Sequence, residues 1–85
     1  MQHLCITIET MNTEEVVAKS RAARALPAPA MQRAIIEAAG VTESDVAQAV
    51  GVHRVTVNRW VMGHRRPSGD RLVRYEDLLR KLAEP

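Results

Sequence analysis

Aromatic residues, cysteine and long apolar runs are scarce or missing in this chain of 85 residues. One tryptophan, one tyrosine and no phenylalanine exclude an aromatic cluster as the core, while twelve alanines and ten valines favour thin, closely packed helices. The single cysteine excludes an internal disulfide, so we expect a reducing, cytoplasmic compartment. No apolar run approaches the roughly 20 residues that span a membrane, and no secretory signal is recognisable. We therefore expect one small cytoplasmic domain with no membrane contact.

Catalytic and metal-binding patterns are missing as well. The three histidines lack a partner at helical spacing and a second cysteine, which argues against a zinc site: His3, His53 and His64. Ser44 and Ser68 have no base arranged as in a catalytic triad, and we interpret them as cap or turn residues. No glycine-rich loop has a phosphate-binding form. We expect no enzyme activity, no cofactor, no metal and no small-molecule substrate.

Positive charge is present, and it is concentrated in one stretch. The whole chain has a net charge of +2, but residues 54–74 alone carry six arginines against one aspartate, a net charge of +5. Arginine is the side chain best suited to bidentate contact with phosphate or guanine. A solvated helix face is the plainer explanation of a charge run, but this concentration favours a nucleic-acid partner. The six are Arg54, Arg59, Arg65, Arg66, Arg71 and Arg74.

Start and stop signals predict two helices in the first half of the chain. Asn12 and Glu15 have the spacing of a capping box at the start of a helix over 12–26, which Pro27 ends. A second helix is predicted over 29–39, with its proline in the first turn. Spacing of three and four residues predicts which side chains of the second helix face the core: Met31, Ala34, Ile35 and Ala38.

Three more helices are predicted in the second half. Thr42 and Asp45 form another capping box, and Gly51 stops the helix they open after two turns. The next helix begins at His53 or its neighbour and ends at Gly63. A long last helix begins within residues 67–70, and its apolar stripe consists of Leu72, Tyr75, Leu79 and Leu82.

The fold class predicted from these elements is all-α, a compact bundle of five helices with a short extended N-terminal arm. Within the arm, Leu4, Ile6 and Ile8 alternate as in a short strand, for which the chain offers no second strand. We assign residues 1–11 to the arm and residues 12–85 to a single helical domain.

Four residues within 43–62 have the spacing of a helix-turn-helix core. Ala47 is small enough for two helix axes to approach, and Gly51 tolerates the positive φ of the turn. Val57 and Trp60 bury the inner face of the second helix, so Trp60 is predicted to be a core residue. The outer face of that helix has groups that read base edges, with arginine suited to guanine, asparagine to adenine and a valine methyl to thymine: Arg54, Val55, Asn58 and Arg59.

The stretch from about residue 31 to residue 70 resembles the helix-turn-helix of the Cro/C1-type (XRE-like) repressors of phages and bacteria. The matching residues are Gly40-Val41-Thr42-Glu43-Ser44-Asp45-Val46-Ala47, Gly51-Val52, Val57-Asn58-Arg59-Trp60, Gly63 and Arg65-Arg66-Pro67-Ser68. The resemblance implies that the second helix of the pair enters the major groove and presents Arg54, Val55, Asn58 and Arg59 to the bases. Residues expected near DNA phosphates are Thr42, Ser44, His53, Thr56, His64, Arg65 and Arg66.

Three features depart from the pattern of that family. Glu43 stands where a glutamine often contacts phosphate, Val61 stands where glutamate is frequent, and one long helix replaces two short ones at the C-terminal end.

The function predicted from the sequence is specific binding of double-stranded DNA by a transcriptional repressor of phage or mobile-element type. A recombination directionality factor and an antitoxin stay open, because both can use the same fold. A protein-interaction or assembly adaptor that does not bind DNA is the alternative from another class. One such domain reads about half a site, so we expect a homodimer that packs through the N-terminal arms or the last helices.

Overall fold

Five helices and their connections make up residues 12–84, the part of the chain that this computed structural model describes. The helices are α1 (Thr13–Ala25), α2 (Pro29–Ala39), α3 (Glu43–Val50), α4 (Arg54–Val61) and α5 (Gly69–Ala83). No strand occurs within residues 12–84, and the predicted all-α class is confirmed. None of these helices is long and apolar enough to cross a membrane. The predicted arm, residues 1–11, lies outside the described residues.

The predicted capping boxes define the starts of two helices. At α1 the Asn12 side chain accepts a hydrogen bond from the Glu15 N–H at 2.8 Å, and the Glu15 carboxylate accepts one from the Asn12 N–H at 3.3 Å. Thr42 and Asp45 form the same reciprocal pair at α3, with both distances 3.0 Å. Each box satisfies two backbone N–H groups that have no acceptor within the helix. Local sequence therefore fixes where α1 and α3 begin.

The long last helix, α5, packs against most of the other helices. Helices α1, α2 and α3 pack against it, and α4 packs against α2 and α3. Leu72, Tyr75 and Leu79 are buried as predicted, while Leu82 is only half-buried. The central core cluster consists of Ile36, Val46, Ala47, Val50, Val57, Trp60, Val61, Tyr75 and Leu79.

The prediction for the inner face of α2 is wrong except at Ile35, which is half-buried and packs against the core cluster. Gln32 and Ile36 are buried, with Gln32 only 2% exposed, whereas Met31 on the predicted face is 54% exposed. Gln32 can be buried because both ends of its amide are satisfied. Its Nε2 group donates to the Pro27 carbonyl at 2.8 Å, and its Oε1 accepts from the Tyr75 hydroxyl at 2.9 Å. With its amide satisfied in this way, Gln32 can lie in the interior together with Ile36. The buried face of α2 is therefore rotated from the face that hydrophobic spacing predicts.

Trp60 and Tyr75, the two aromatic residues of the chain, pack against each other. Their ring centroids lie 4.7 Å apart with the planes tilted by 46°, a favourable arrangement for two aromatic rings. Trp60 is 3% exposed, so the prediction that it belongs to the core is confirmed.

Tyr75 gives the fold a predictable sensitivity to alkali. Burial raises the pKa of Tyr75 above its ordinary value of 10.0, and the negative charge of Glu43 raises it further. Because the pKa is higher in the folded than in the unfolded state, the neutral Tyr75 hydroxyl stabilises the folded protein. This contribution is complete below pH 10.0 and is lost as the pH rises through the pKa of the folded state. We expect the free energy of unfolding to fall above that pH, and to fall less steeply in Tyr75→Phe. Chemical denaturation across the alkaline range measures this.

The only tyrosine also reports its own ionisation. Phenolate absorbance is expected to appear well above the ordinary pKa, together with the loss of helical circular dichroism. At neutral pH, Tyr75→Phe leaves the Gln32 oxygen without its donor and costs about 1–3 kcal/mol. Ionisation near the ordinary value in a chain that is still folded would contradict the proposed burial of this hydroxyl.

Candidate nucleic-acid interface

Helices α3 and α4 and the turn between them form the predicted helix-turn-helix. Gly51 has φ of +88°, a left-handed backbone conformation that residues with a Cβ atom rarely adopt. The N–H groups of Gly51 and Val52 both donate to the Ala47 carbonyl, at 2.8 and 2.9 Å, and so close the end of α3. Ala47 is buried, as expected for the residue at which the two helices approach. The turn therefore leads directly from α3 into α4.

Arg74 of α5 braces this turn. Its Nη1 donates to the Val50 carbonyl, one of the last carbonyls of α3, at 3.5 Å. A Cβ atom added at Gly51 would lie 3.6 Å from the same Nη1, so the guanidinium lies directly over the turn. A cation at the C-terminal end of a helix is favourable, because the helix carbonyls carry partial negative charge there. The sequence analysis counted Arg74 only as charge, and its structural contact was missed.

His53 begins α4 as its N-cap. The Nδ1 atom accepts a hydrogen bond from the Val55 N–H at 3.2 Å. In the neutral ring the proton then lies on Nε2, because the nitrogen that accepts cannot also carry it. Since the residue is exposed, Nε2–H is a donor for an external acceptor such as a phosphate oxygen.

The predicted base-reading residues lie on the outward face of α4. Arg54, Val55 and Arg59 are exposed, while Asn58 is half-buried. The opposite face is in the core, where Val57, Trp60 and Val61 are buried. Thr56, predicted to contact phosphate, is half-buried at the side of the helix. The spacing i, i+1, i+4 and i+5 thus produces one outward stripe.

Asn58 has a partner that the sequence analysis missed. Its Nδ2 group donates to the carboxylate of Glu43, the first residue of α3, at 3.2 Å from Oε1 and 3.5 Å from Oε2. The two residues are 15 positions apart, and both are half-buried. The presence of glutamate at this position was the only signal in the sequence, and it did not identify a partner.

Thr42 and Ser44 are exposed at the N-terminal end of α3, where they were expected to lie near phosphates. Thr42 Oγ1 accepts the Asp45 N–H, which leaves the hydroxyl proton as a donor. The backbone N–H of Thr42, followed by its side chain, holds the pKa of the Asp45 carboxyl below its ordinary value. Two carboxylates, Glu43 and Asp45, thus occupy the first turn of α3 beside these predicted phosphate contacts.

The loop after α4 is tied to the end of that helix. The N–H groups of His64 and Arg65 both donate to the Arg59 carbonyl, at 2.9 and 3.2 Å. Gly63 has φ of +81°, which permits this reversal of the chain. The side chains of His64, Arg65 and Arg66 are exposed, and Pro67 behind them is buried. The loop therefore holds its basic side chains close to the C-terminal end of α4.

Comparison with known protein families identifies the arrangement. The family model described as helix-turn-helix matches residues 32–84, which include most of α2 and all of α3, α4 and α5. The chain belongs to this helix-turn-helix family. Its members are DNA-binding regulators of the Cro/C1 type and are not an enzyme family. Comparison with the curated proteins and with the solved structures finds no match.

Helix α1 lies outside the part of the chain that matches the helix-turn-helix family. It packs on α5, buries Ala22, and pairs Lys19 with Asp70 across a distance of 3.8 Å. The pair places a cation beside Asp70, the only acidic residue of the 54–74 stretch. Thus α1 adds an electrostatic contact beside the family domain.

The arginines of the basic stretch stand apart from the ion pairs of this helix-turn-helix protein. Within residues 12–84, the cations that form ion pairs are Lys19, Arg33, Arg80 and Lys81. None of the six arginines of the 54–74 stretch forms an ion pair with a described residue. Arg71, exposed in the first turn of α5, belongs to this set. The sequence analysis counted its charge and did not include it among the expected phosphate contacts.

Substitution at Gly51 tests how strictly the turn fixes the position of α4. We expect Gly51→Ala to lower the free energy of unfolding by about 1–2 kcal/mol, because alanine is strained at positive φ. The nearest atom would lie at 3.6 Å, so the loss comes from the backbone conformation and not from a clash. Thermal and urea denaturation measure the loss.

Gly51→Asn is the matched control, because asparagine tolerates the left-handed region better than alanine. It is expected to be the more stable of the two variants. Equal stability of Gly51→Ala and the unsubstituted chain would show that the turn does not require this conformation.

Proposed function

We propose that the protein is a sequence-specific transcriptional repressor that inserts α4 into the major groove of double-stranded DNA. The observation that carries the proposal is the exposed basic surface without internal ion pairs: Arg54, Arg59, Arg65, Arg66 and Arg71. The exposed cations of α2 and of the end of α5, in contrast, pair with carboxylates of their own helices. A surface on which five arginines find none is suited to an external polyanion.

The proposed interface has two kinds of contact. Arg54, Val55, Asn58 and Arg59 face the base edges, since a helix fits the width of the major groove. The groups proposed to contact the phosphate backbone surround that stripe: Thr42, Ser44, His53, Thr56, His64, Arg65 and Arg66, to which we add Arg71. Phosphate contacts set the position of the protein on the duplex, whereas base contacts distinguish sequences.

Repression follows from occupation of a promoter, because a protein bound in the major groove excludes polymerase without any further activity. The membership in a Cro/C1-type family supports a regulator of phage or mobile-element type. The same interface would also serve a recombination directionality factor or an antitoxin, and a reporter gene under the selected site distinguishes repression from those roles.

Substitutions in the two groups are expected to behave differently. Arg59→Ala is expected to cost about 1–3 kcal/mol on the preferred site and to relax preference at one base pair, because it removes a base contact. Arg65→Ala is expected to weaken binding to every sequence and to lower the salt slope by about one, because it removes a phosphate contact. Titration of preferred and scrambled duplexes at several salt concentrations separates the two effects.

Arg80→Ala is the control with the same change of charge, since Arg80 lies in the last turn of α5 and pairs with Glu76 and Asp77. It is expected to leave the ratio of specific to scrambled binding and the salt slope nearly unchanged. Should Arg59→Ala and Asn58→Ala both fold and retain the full ratio, α4 is not the reading helix. Absence of DNA binding at low salt would favour the adaptor function instead.

A homodimer is proposed on the grounds of specificity. One recognition helix contacts only a few base pairs, and two copies related by a two-fold axis double the length of the site. Selection of bound fragments from a random DNA pool is expected to return inverted repeats, with half-sites separated by about one helical turn. Sedimentation of the full chain at micromolar concentration is expected to show a dimer. Selected sites without symmetry, together with a monomer in sedimentation, would rule the dimer out.

A further inference from the structure

One polar contact at the edge of the proposed reading surface is satisfied within the protein. Asn58 donates through Nδ2 to the Glu43 carboxylate, while its neighbours on the outward stripe, Arg54, Val55 and Arg59, are exposed. The contact joins the first residue of α3 to one residue of the outward stripe of α4. It therefore acts on a residue to which the proposed function gives a role in reading bases.

The carboxylate decides which end of the Asn58 amide faces it. An asparagine amide has a carbonyl that accepts and an NH₂ group that donates, and the two ends exchange places when the side chain flips. Glutamate is an acceptor only, so it attracts the NH₂ end and repels the carbonyl oxygen. Oδ1 of Asn58 is consequently directed away from Glu43.

We propose that Glu43 is a positioning residue that sets the base preference of Asn58. By holding Nδ2, it presents Oδ1 toward the groove, where an acceptor pairs with the exocyclic amino group of adenine or cytosine. Guanine and thymine place an oxygen at that point of the major groove and are repelled. This inference rests on the proposed function, because it requires α4 to lie in the major groove.

The position contacted by Asn58 is therefore expected to hold adenine or cytosine on one strand. Reversal of that base pair, which exchanges the amino group for an oxygen, is expected to lower the affinity of the unsubstituted chain about tenfold. Glu43→Gln replaces the acceptor with an amide that donates as well as accepts, so both orientations of Asn58 become available. In this variant the ratio between the two orientations of the base pair is expected to fall to about twofold or less.

The experiment begins with a duplex selected by the full-length protein. Affinities for the selected duplex and for duplexes with each base pair reversed are measured with the unsubstituted chain, Glu43→Gln and Asn58→Ala. Circular dichroism confirms folding, and Glu43→Ala serves as a second variant because it also frees the Asn58 amide. The readout is preference at one base pair, which a merely stabilising contact would not change.

Asp45→Asn is the matched control for charge. It removes one negative charge from the same first turn of α3, and its side-chain oxygen can still accept the Thr42 N–H. Loss of either carboxylate is expected to raise affinity for all duplexes, because repulsion of the phosphates is lower. Only Glu43→Gln is expected to change the ratio at the Asn58 base pair.

The double variant, Glu43→Gln with Asn58→Ala, completes the test. It is expected to show the same ratio as Asn58→Ala alone, since Glu43 acts through Asn58. A further change in the double variant would mean that Glu43 contacts the base itself, and would overturn the inference.

The failures of the two proposals have different signatures. If the unsubstituted chain shows no preferred sequence, or neither Asn58→Ala nor Arg59→Ala relaxes a base pair, the proposed reading function is wrong and the inference fails with it. If Arg59→Ala relaxes one base pair and Asn58→Ala relaxes none, only the inference is overturned. If Asn58→Ala relaxes one base pair while Glu43→Gln leaves the preference there intact, only the inference is overturned.

Discussion

Helix α4 is held in place by one buried tyrosine. Tyr75 is fully buried in α5, its ring lies against Trp60 of α4, and its hydroxyl donates to Gln32 of α2. Gln32 in turn holds the carbonyl of Pro27, just before α2. A single side chain therefore joins three helices through one apolar and one polar contact. The chain has only two aromatic residues, so no other large ring can replace the contact between Tyr75 and Trp60. The orientation of α4 in the close-packed core therefore depends on this contact.

The same helix, α5, supports the motif from the other side of the turn. Arg74 lies one residue before Tyr75 and contacts the carbonyl of Val50, so the end of α3 and the core of α4 are fixed by neighbouring positions. A rigid scaffold of this kind is useful under a reading surface, because base contacts are sensitive to small displacements. Thus one long helix, in place of two short ones, provides a continuous support for the helix-turn-helix.

The sequence predicted what local chemistry determines, and missed what distant partners determine. The capping boxes at Asn12 and Thr42 and the glycine turn at Gly51 follow from residues within four positions, and all were predicted correctly. The buried face of α2 was not, because Gln32 is satisfied by Tyr75, 43 positions away. The contacts of Asn58 with Glu43 and of Arg74 with Val50 join residues 15 and 24 positions apart. Hydrophobic periodicity carries no information on such polar pairs, so the scaffold and the finer geometry of the site needed the structure.

Charge is distributed between surfaces that serve stability and a surface that serves binding. Carboxylates pair with Lys19 of α1, with Arg33 of α2 and with Arg80 and Lys81 at the end of α5, whereas the arginines around α4 form no ion pair with a described residue. Unpaired like charges repel one another, so this surface lowers the stability of the free protein while DNA is absent. Glu43 stands at the border between the two surfaces. In the proposed complex its charge opposes nearby phosphates, and its hydrogen bond with Asn58 restricts the orientation of that amide. A residue that weakens attraction to every sequence while restricting one contact favours discrimination over affinity, which is the property that separates specific from non-specific binding.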